Sequence, residues 1–268
     1  MKRLLSYMNE MAAVVVDDLD VNFLNRAQKV TSFNLQTADL ETLKYKSEIQ
    51  HLFHRHFFPK FDLGKTISGD IKMNTANKII KQLKSVDKAA FNKLHFYNLK
   101  GVGPGEATLF FICDKAVLGG GASAGVDVII AGSKYEVKAA QYSKATNTVY
   151  GFKLGGTVPL GDMVTKATAL KNKLGMVTKG KGQNEVNKSQ IEAIRKKFPR
   201  EWKAIEAQYG RVAYKYFGTT PVIFMNNNGS GGRLTSDGGE IIAIKKIKQS
   251  DIQIDVITQG TIKPRVKI

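Results

Sequence analysis

"GVDVIIAGSKYEVKAA", residues 125–140, sets Asp127, Glu136 and Lys138 into a stretch that otherwise reads as a tight apolar hairpin. The runs "VDVII" and "YEVKAA" flank small turn residues, which predicts strands over 126–131 and 134–140 with Gly132–Ser133 as a two-residue loop. That register pairs Ala131 with Lys134, Ile129 with Glu136 and Asp127 with Lys138. Directly opposed residues share a sheet face and successive residues alternate, so Asp127, Glu136 and Lys138 project together. Glu136 then lies diagonally from Asp127, within roughly 5–8 Å between β-carbons. Half-buried charges are costly unless they pair or hold a metal. Two carboxylates at that spacing suit a divalent ion such as Mg²⁺, which prefers oxygen ligands and keeps several waters. A lysine beside such an ion can position or deprotonate an attacking water and offset charge on a phosphoryl group. The other reading is an ordinary cross-strand ion pair, Lys138 with Asp127 or Glu136, which contributes little.

Just upstream, "GVGPGEATLFFICDKAVL" (101–118) opens on glycines around Pro104, a residue suited to a first helical turn. A helix is predicted from about Pro104 to Val117, with Glu106, Leu109, Phe110 and Cys113 on one face. Glu106 ends that core-facing stripe. It is either a further acidic group for the hairpin site or a partner of the helix dipole. "GGGASAG" (119–125) lets the backbone turn from helix to hairpin.

Asp127, then Glu136 and Lys138 separated by one residue, resemble the D…E-x-K signature of the PD-(D/E)XK nuclease superfamily. In that superfamily a helix before the hairpin often carries another acidic residue, the place where Glu106 stands. The resemblance implies a helix, a three-stranded antiparallel unit, another helix and a further strand. The predicted order is compatible, with a short strand within 115–120, a helix after 160 and a later strand. The resemblance covers about residues 101–225, and its sharp part is 106–138. No proline precedes Asp127; Val126 does. Gln141 follows the lysine by three residues, as a glutamine does in some branches, but strand parity puts it on the opposite face.

What the resemblance implies is a fold of α/β (α+β) class. Its restriction-endonuclease-like core has a mixed central sheet flanked by helices. Apolar spacing predicts a helical N-terminal region over 1–100 and a basic, strand-rich C-terminal segment over 226–268 packed on the core, and the resemblance sets the nuclease core at 101–225. The implied activity is metal-dependent hydrolysis of phosphodiester bonds in DNA, as an endonuclease. Asp127, Glu136 and Glu106 would bind Mg²⁺, with Mn²⁺ as a substitute, and Lys138 would orient the water and stabilise the transition state.

The charge balance points the same way. Forty-one Lys and Arg against 23 Asp and Glu give a formal +18, which points to a polyanionic partner, nucleic acid first and an anionic membrane surface second, the bland alternative being a soluble protein that is merely basic. Lys166, Lys171, Lys173, Lys179 and Lys181 stand in a stretch from Gly161 to Lys188 whose only acidic residues are Asp162 and Glu185. With Arg233 of the glycine-rich loop "NNNGSGGR" (226–233), they are the candidates to hold a nucleic-acid backbone, taken as double-stranded DNA. A homodimer is compatible with cutting both strands. The overall character, a basic strand-rich tail with asparagine- and glycine-rich loops, resembles bacteriophage proteins; the single cysteine fits a reducing compartment, so the expected place is the cytoplasm, a host's if phage-encoded. The competing class is a non-catalytic nucleic-acid-binding or phage structural protein whose hairpin charges merely pair.

The remaining features add less. Cys113 is the sole cysteine, which excludes an intrachain disulfide framework. The start "MKRLLSYMNEMAAVVVDDLD" is interrupted by polar residues and reads as an element start rather than an export signal, and no apolar run spans a membrane. "ADLETLKYKSEIQHLFHRHFF" and "NTANKIIKQLKSVDKAAFNKLHFYNL" have helical periodicity. His51, His54 and His56 lack a nearby carboxylate to complete a metal site. "GKT" at 64–66 lacks the upstream glycine of a phosphate loop, since Pro59 stands there. "NKSQIEAIRKKF" and "PREWKAIEAQYG" read as helices broken at Pro199, and "RVAYKYF", "PVIFMNN", "IIAIKKI", "DIQIDVI" and "TIKPRVKI" as strands.

Overall fold

A computed structural model describes residues 58, 66–96, 103–118, 126–154, 161–177, 180, 183–230, 233–258 and 261–268. The expected helix over "ADLETLKYKSEIQHLFHRHFF", apart from Phe58, lies outside the described residues. So do the three neighbouring histidines, Lys179 and Lys181.

The first described helix, α1 (Met73–Val86), buries Ala76, Ile79, Ile80 and Leu83, the i, i+3, i+4, i+7 stripe of an amphipathic helix. Helix α2 (Lys88–His95) follows at once because Asp87 caps it, its carboxylate accepting from the Ala90 N–H at 2.9 Å. Helix α3 (Glu106–Ile112) is shorter than the periodicity predicts. Past Ile112 the backbone is drawn out by Ile67, whose N–H donates to the Ile112 carbonyl and whose carbonyl accepts from the Asp114 N–H. The expected 104–117 helix therefore ends early, and Ala116–Leu118 becomes strand β1.

Strands β2 (Val128–Ile130) and β3 (Ser133–Ser143) form the hairpin. Its register pairs Val128 with Tyr135, Ile129 with Lys134 and Ile130 with Ser133. The turn is therefore Ala131–Gly132, with φ of 48° and 86°, rather than Gly132–Ser133. Two positive φ values are those of a type I′ turn, whose twist matches the strands. The pairing shifts by two residues from the expected one. Because a strand repeats every two residues, each side chain stays on its expected face.

After β4 (Thr148–Tyr150) come helices α4 (Gly161–Lys173), α5 (Lys188–Lys197) and α6 (Pro199–Phe217). A reciprocal Asn187–Gln190 capping box starts α5, and Pro199 opens α6 in its first turn. "RVAYKYF", expected as a strand, is the second half of α6. Its aromatic and β-branched content suggested a strand, but burial of Tyr209, Ala213 and Phe217 at four-residue spacing shows the helical period prevailing. The chain ends in β5 (Val222–Asn226), the short pair β6 (Gly229–Ser230) and β7 (Arg233–Leu234), then β8 (Ile241–Lys245), β9 (Ile252–Thr258) and β10 (Thr261–Lys267).

Among the described residues these elements make a mixed α/β fold with six α-helices and an open sheet of eight strands. Strands run β1-β2-β3-β4-β10-β9, and β5 joins β3 to β8. The β3–β5 pair is parallel; the other pairings are antiparallel. Tyr135, Val137, Ile223 and Met225 turn to one face of the sheet and join a core with α1, α2 and α3. Ala140, Val222 and Phe224 turn to the other and join a core with α4, α5, α6, β9 and β10. Central β3 is thus covered by helices on both sides, and Glu136 and Lys138 share the face toward α6. No helix of the described residues is long and apolar enough to cross a membrane.

Candidate active site

Extending the hairpin register by one residue puts Asp127 opposite Glu136, where the sequence reading placed it opposite Lys138. Asp127 ends the β2 side of the ladder. Its N–H donates to the Tyr135 carbonyl at 2.9 Å, and its Oδ2 accepts from the Val137 N–H at 2.7 Å. The carboxylate thus takes up a β3 donor that no strand residue reaches. On β3's other edge the Glu136 N–H donates to the Pro221 carbonyl at 3.0 Å, where the parallel pairing with β5 begins. Backbone bonds on both edges hold the segment that carries Glu136 and Lys138.

The Lys138 ammonium lies 3.5 Å from Asp127 Oδ2 and makes a short ion pair with Glu136 Oε1. The side chains of Lys138, Asp127 and Glu136 are 14%, 22% and 5% exposed, so the cluster opens to solvent mainly at Asp127. Tyr216, on the last turn of α6, donates its hydroxyl to Glu136 Oε1 at 2.8 Å. Its ring faces the Lys138 ammonium with the centroid 5.7 Å away. Tyr216 lies in "RVAYKYF", whose composition predicts a strand, so the sequence alone does not bring it to the site. The four-residue spacing of Tyr209, Ala213 and Phe217 was the signal that would have put it on a helix.

Glu106 enters from the first turn of α3. It is buried, and its Oε1 accepts from the Gly103 N–H at 2.8 Å, closing the "GPGE" turn. Gly105 before it has φ 91°, the left-handed region that favours glycine, and a β-carbon there would sit 2.5 Å from Met225 Sδ, which would have to shift. That turn sets Glu106 within electrostatic reach of the hairpin charges. Burial, then the Asp127 charge, pushes the Glu106 carboxyl up to about 8, with Glu136 adding to the rise while the Gly103 N–H and Lys138 oppose it. Burial also raises Asp127, with Glu136 adding to the rise, against the pull of Lys138 and of the Val137 N–H. Burial alone would lower Lys138, but Asp127 and Glu136 outweigh it and hold the ammonium above its ordinary value.

One ammonium thus contacts two carboxylates, with Glu106 within electrostatic reach, and burial, with repulsion between carboxylates adding to it, raises Glu106 and Asp127. The donors are all carboxylate oxygens, a set suited to a small hard divalent ion. Among the described residues no group of three or more His, Cys, Asp or Glu side chains is gathered into a ready cage.

The candidate nucleic-acid contacts divide. Lys166 and Lys173 are exposed on α4, Lys166 pairing with Asp162 at 2.7 Å. Arg233 is exposed on β7. Lys171 departs from expectation: it is fully buried, and its ammonium donates to the carbonyls of Gln183 at 2.7 Å and Glu185 at 3.0 Å. It ties the chain after α4 back onto the helix and is not available to phosphate. Gln141 is exposed and pairs with Tyr150, its parity opposite to that of Lys138.

No protein-family model, curated protein or solved structure matches this chain. The reading of the site rests on its own chemistry.

Proposed function

We propose that this protein is a metal-dependent nuclease that hydrolyses phosphodiester bonds of DNA, as an endonuclease, on a restriction-endonuclease-like core. The observation that carries the reading is the contact of Lys138 with both Asp127 and Glu136 on one face of the hairpin, with Glu106 near enough for their charges to act on it. The element order supports it: α3, the antiparallel β1–β2–β3 unit, intervening helices, and β5 parallel to β3. The resemblance to the PD-(D/E)XK superfamily implies this order with one helix where three stand here and without β4, which follows β3.

Asp127, Glu136 and Glu106 would hold Mg²⁺, or Mn²⁺ in its place. Such an ion supplies a polarised phosphoryl oxygen and a bound water of lowered pKa. Lys138 remains an ammonium, because the carboxylates that raise it also keep its proton. Its role is therefore electrostatic: it offsets the negative charge that grows on the phosphate oxygens in the transition state. Glu106 carries a proton at neutral pH and releases it when positive charge arrives beside it. The surplus of positive charge along the chain supports a duplex as the partner. A homodimer would supply one such cluster for each strand.

A second reading is favoured by the ion pairs themselves. Lys138 already contacts both hairpin carboxylates, so the charges could close on themselves in a nucleic-acid-binding or phage structural protein without catalysis. Supercoiled and linear DNA incubated with the protein in Mg²⁺, Mn²⁺ or EDTA separates the two. The nuclease cuts only with metal, and Lys138→Ala loses on the order of 100-fold or more in rate. Absence of cutting, with binding unchanged by EDTA or by Asp127→Ala, sinks the nuclease and leaves the binding protein.

A further inference from the structure

We propose that Tyr216 is a positioning residue of this site, holding Glu136 by its hydroxyl and Lys138 by its ring; the proposal rests on the nuclease reading. Glu136 and Lys138 are long side chains on one face of β3, and nothing in strand geometry fixes their ends. The Asp127–Lys138 contact, at 3.5 Å, is loose. Tyr216 comes from a different layer. It stands on α6, whose Trp202, Ile205, Tyr209, Ala213 and Phe217 are buried in the core, so its backbone is anchored by packing. From there one side chain makes two contacts of different kinds. Its hydroxyl donates to a charged carboxylate at 2.8 Å, a stronger bond than one between neutral groups. Its ring presents a negative face to the ammonium 5.7 Å from the centroid. Tyr216 and Lys138 both bond Oε1 of Glu136, so acid, lysine and tyrosine form one connected unit. Among the hydrophobic side chains only tyrosine supplies both a hydroxyl donor and a ring, and the two roles can be separated. Phenylalanine keeps the ring and loses the donor; leucine loses both.

Removing an outer partner of a metal-binding carboxylate typically lowers metal affinity or activity about 10–100-fold. Tyr216→Phe is therefore expected to bind Mn²⁺ about 10–100-fold more weakly by calorimetry without nucleic acid. Its kcat should fall in step and its KM for DNA stay as in the wild type, while the protein still melts cooperatively. Tyr216→Leu should lose further kcat with little further loss of Mn²⁺ affinity, because the ring serves the lysine. Wild-type Mn²⁺ affinity and kcat in Tyr216→Phe overturn the proposal and leave the nuclease standing. A wild-type protein that neither binds Mn²⁺ nor cuts DNA overturns both.

Discussion

Glu106 and Lys138 are held in opposite charge conditions by burial and by the same neighbouring carboxylates. Desolvation and the Asp127 charge keep a proton on Glu106 up to about 8, while two carboxylates keep one on Lys138. The linkage has a definite sign. In the unfolded chain Glu106 titrates at its ordinary value of 4.5, so between there and about 8 the folded protein holds the extra proton. The resulting stabilisation is full below the unfolded value and lost as pH rises through the folded one. Asp127, also raised, acts in the same direction. Melting in EDTA from about pH 5 to about pH 9 should show Tm falling with pH, and Glu106→Gln should flatten the slope. A profile identical in the variant would mean that Glu106 is not the group responsible. The shared face of Asp127, Glu136 and Lys138 was legible in the sequence, because strand parity survives a two-residue shift of the turn. Tyr216 was not, since its hydroxyl reaches Glu136 across 80 positions of chain.

Elements differ in how openly their residues declare them. The hairpin was readable from "VDVII" and "YEVKAA", although the turn settled on Ala131–Gly132, where two positive φ values give the twist the strands need. Helix α3 was readable in kind but not in length, because what ends it is a distant backbone partner, Ile67. The second half of α6 was misread, since composition there favours a strand while packing against the core favours a helix. Gly105 shows how one element depends on another. It is left-handed, and Met225 of β5 closes the space where a side chain would go. Gly105→Ala should lower stability by about 1–3 kcal/mol in urea unfolding and weaken Mn²⁺ binding as Glu106 moves off its turn. Unchanged stability would show that the α3 start tolerates a side chain.

Over the whole molecule, the sheet is where the two cores meet, and β3 lies between them with the candidate site on its α6 side. The chain carries a formal +18 surplus, and among the described candidates Lys166, Lys173 and Arg233 are exposed while Lys171 is turned inward to hold backbone carbonyls. Binding to duplex DNA should weaken steeply with salt, roughly a thousandfold between about 50 and about 200 mM if about six phosphates are neutralised. Filter binding or fluorescence anisotropy checks this, and a flat response would remove a nucleic-acid backbone as the partner. Charge surplus, helical and strand periods, and the alignment of three charged side chains on one face are local properties of the chain, readable residue by residue because steric repeats of two and 3.6 do not depend on what packs nearby. The arrival of Tyr216 at Glu136, the burial of Lys171, the end of α3 and the fit of Gly105 against Met225 depend on which elements meet in three dimensions. Those contacts join residues far apart in the chain, and no local period records them.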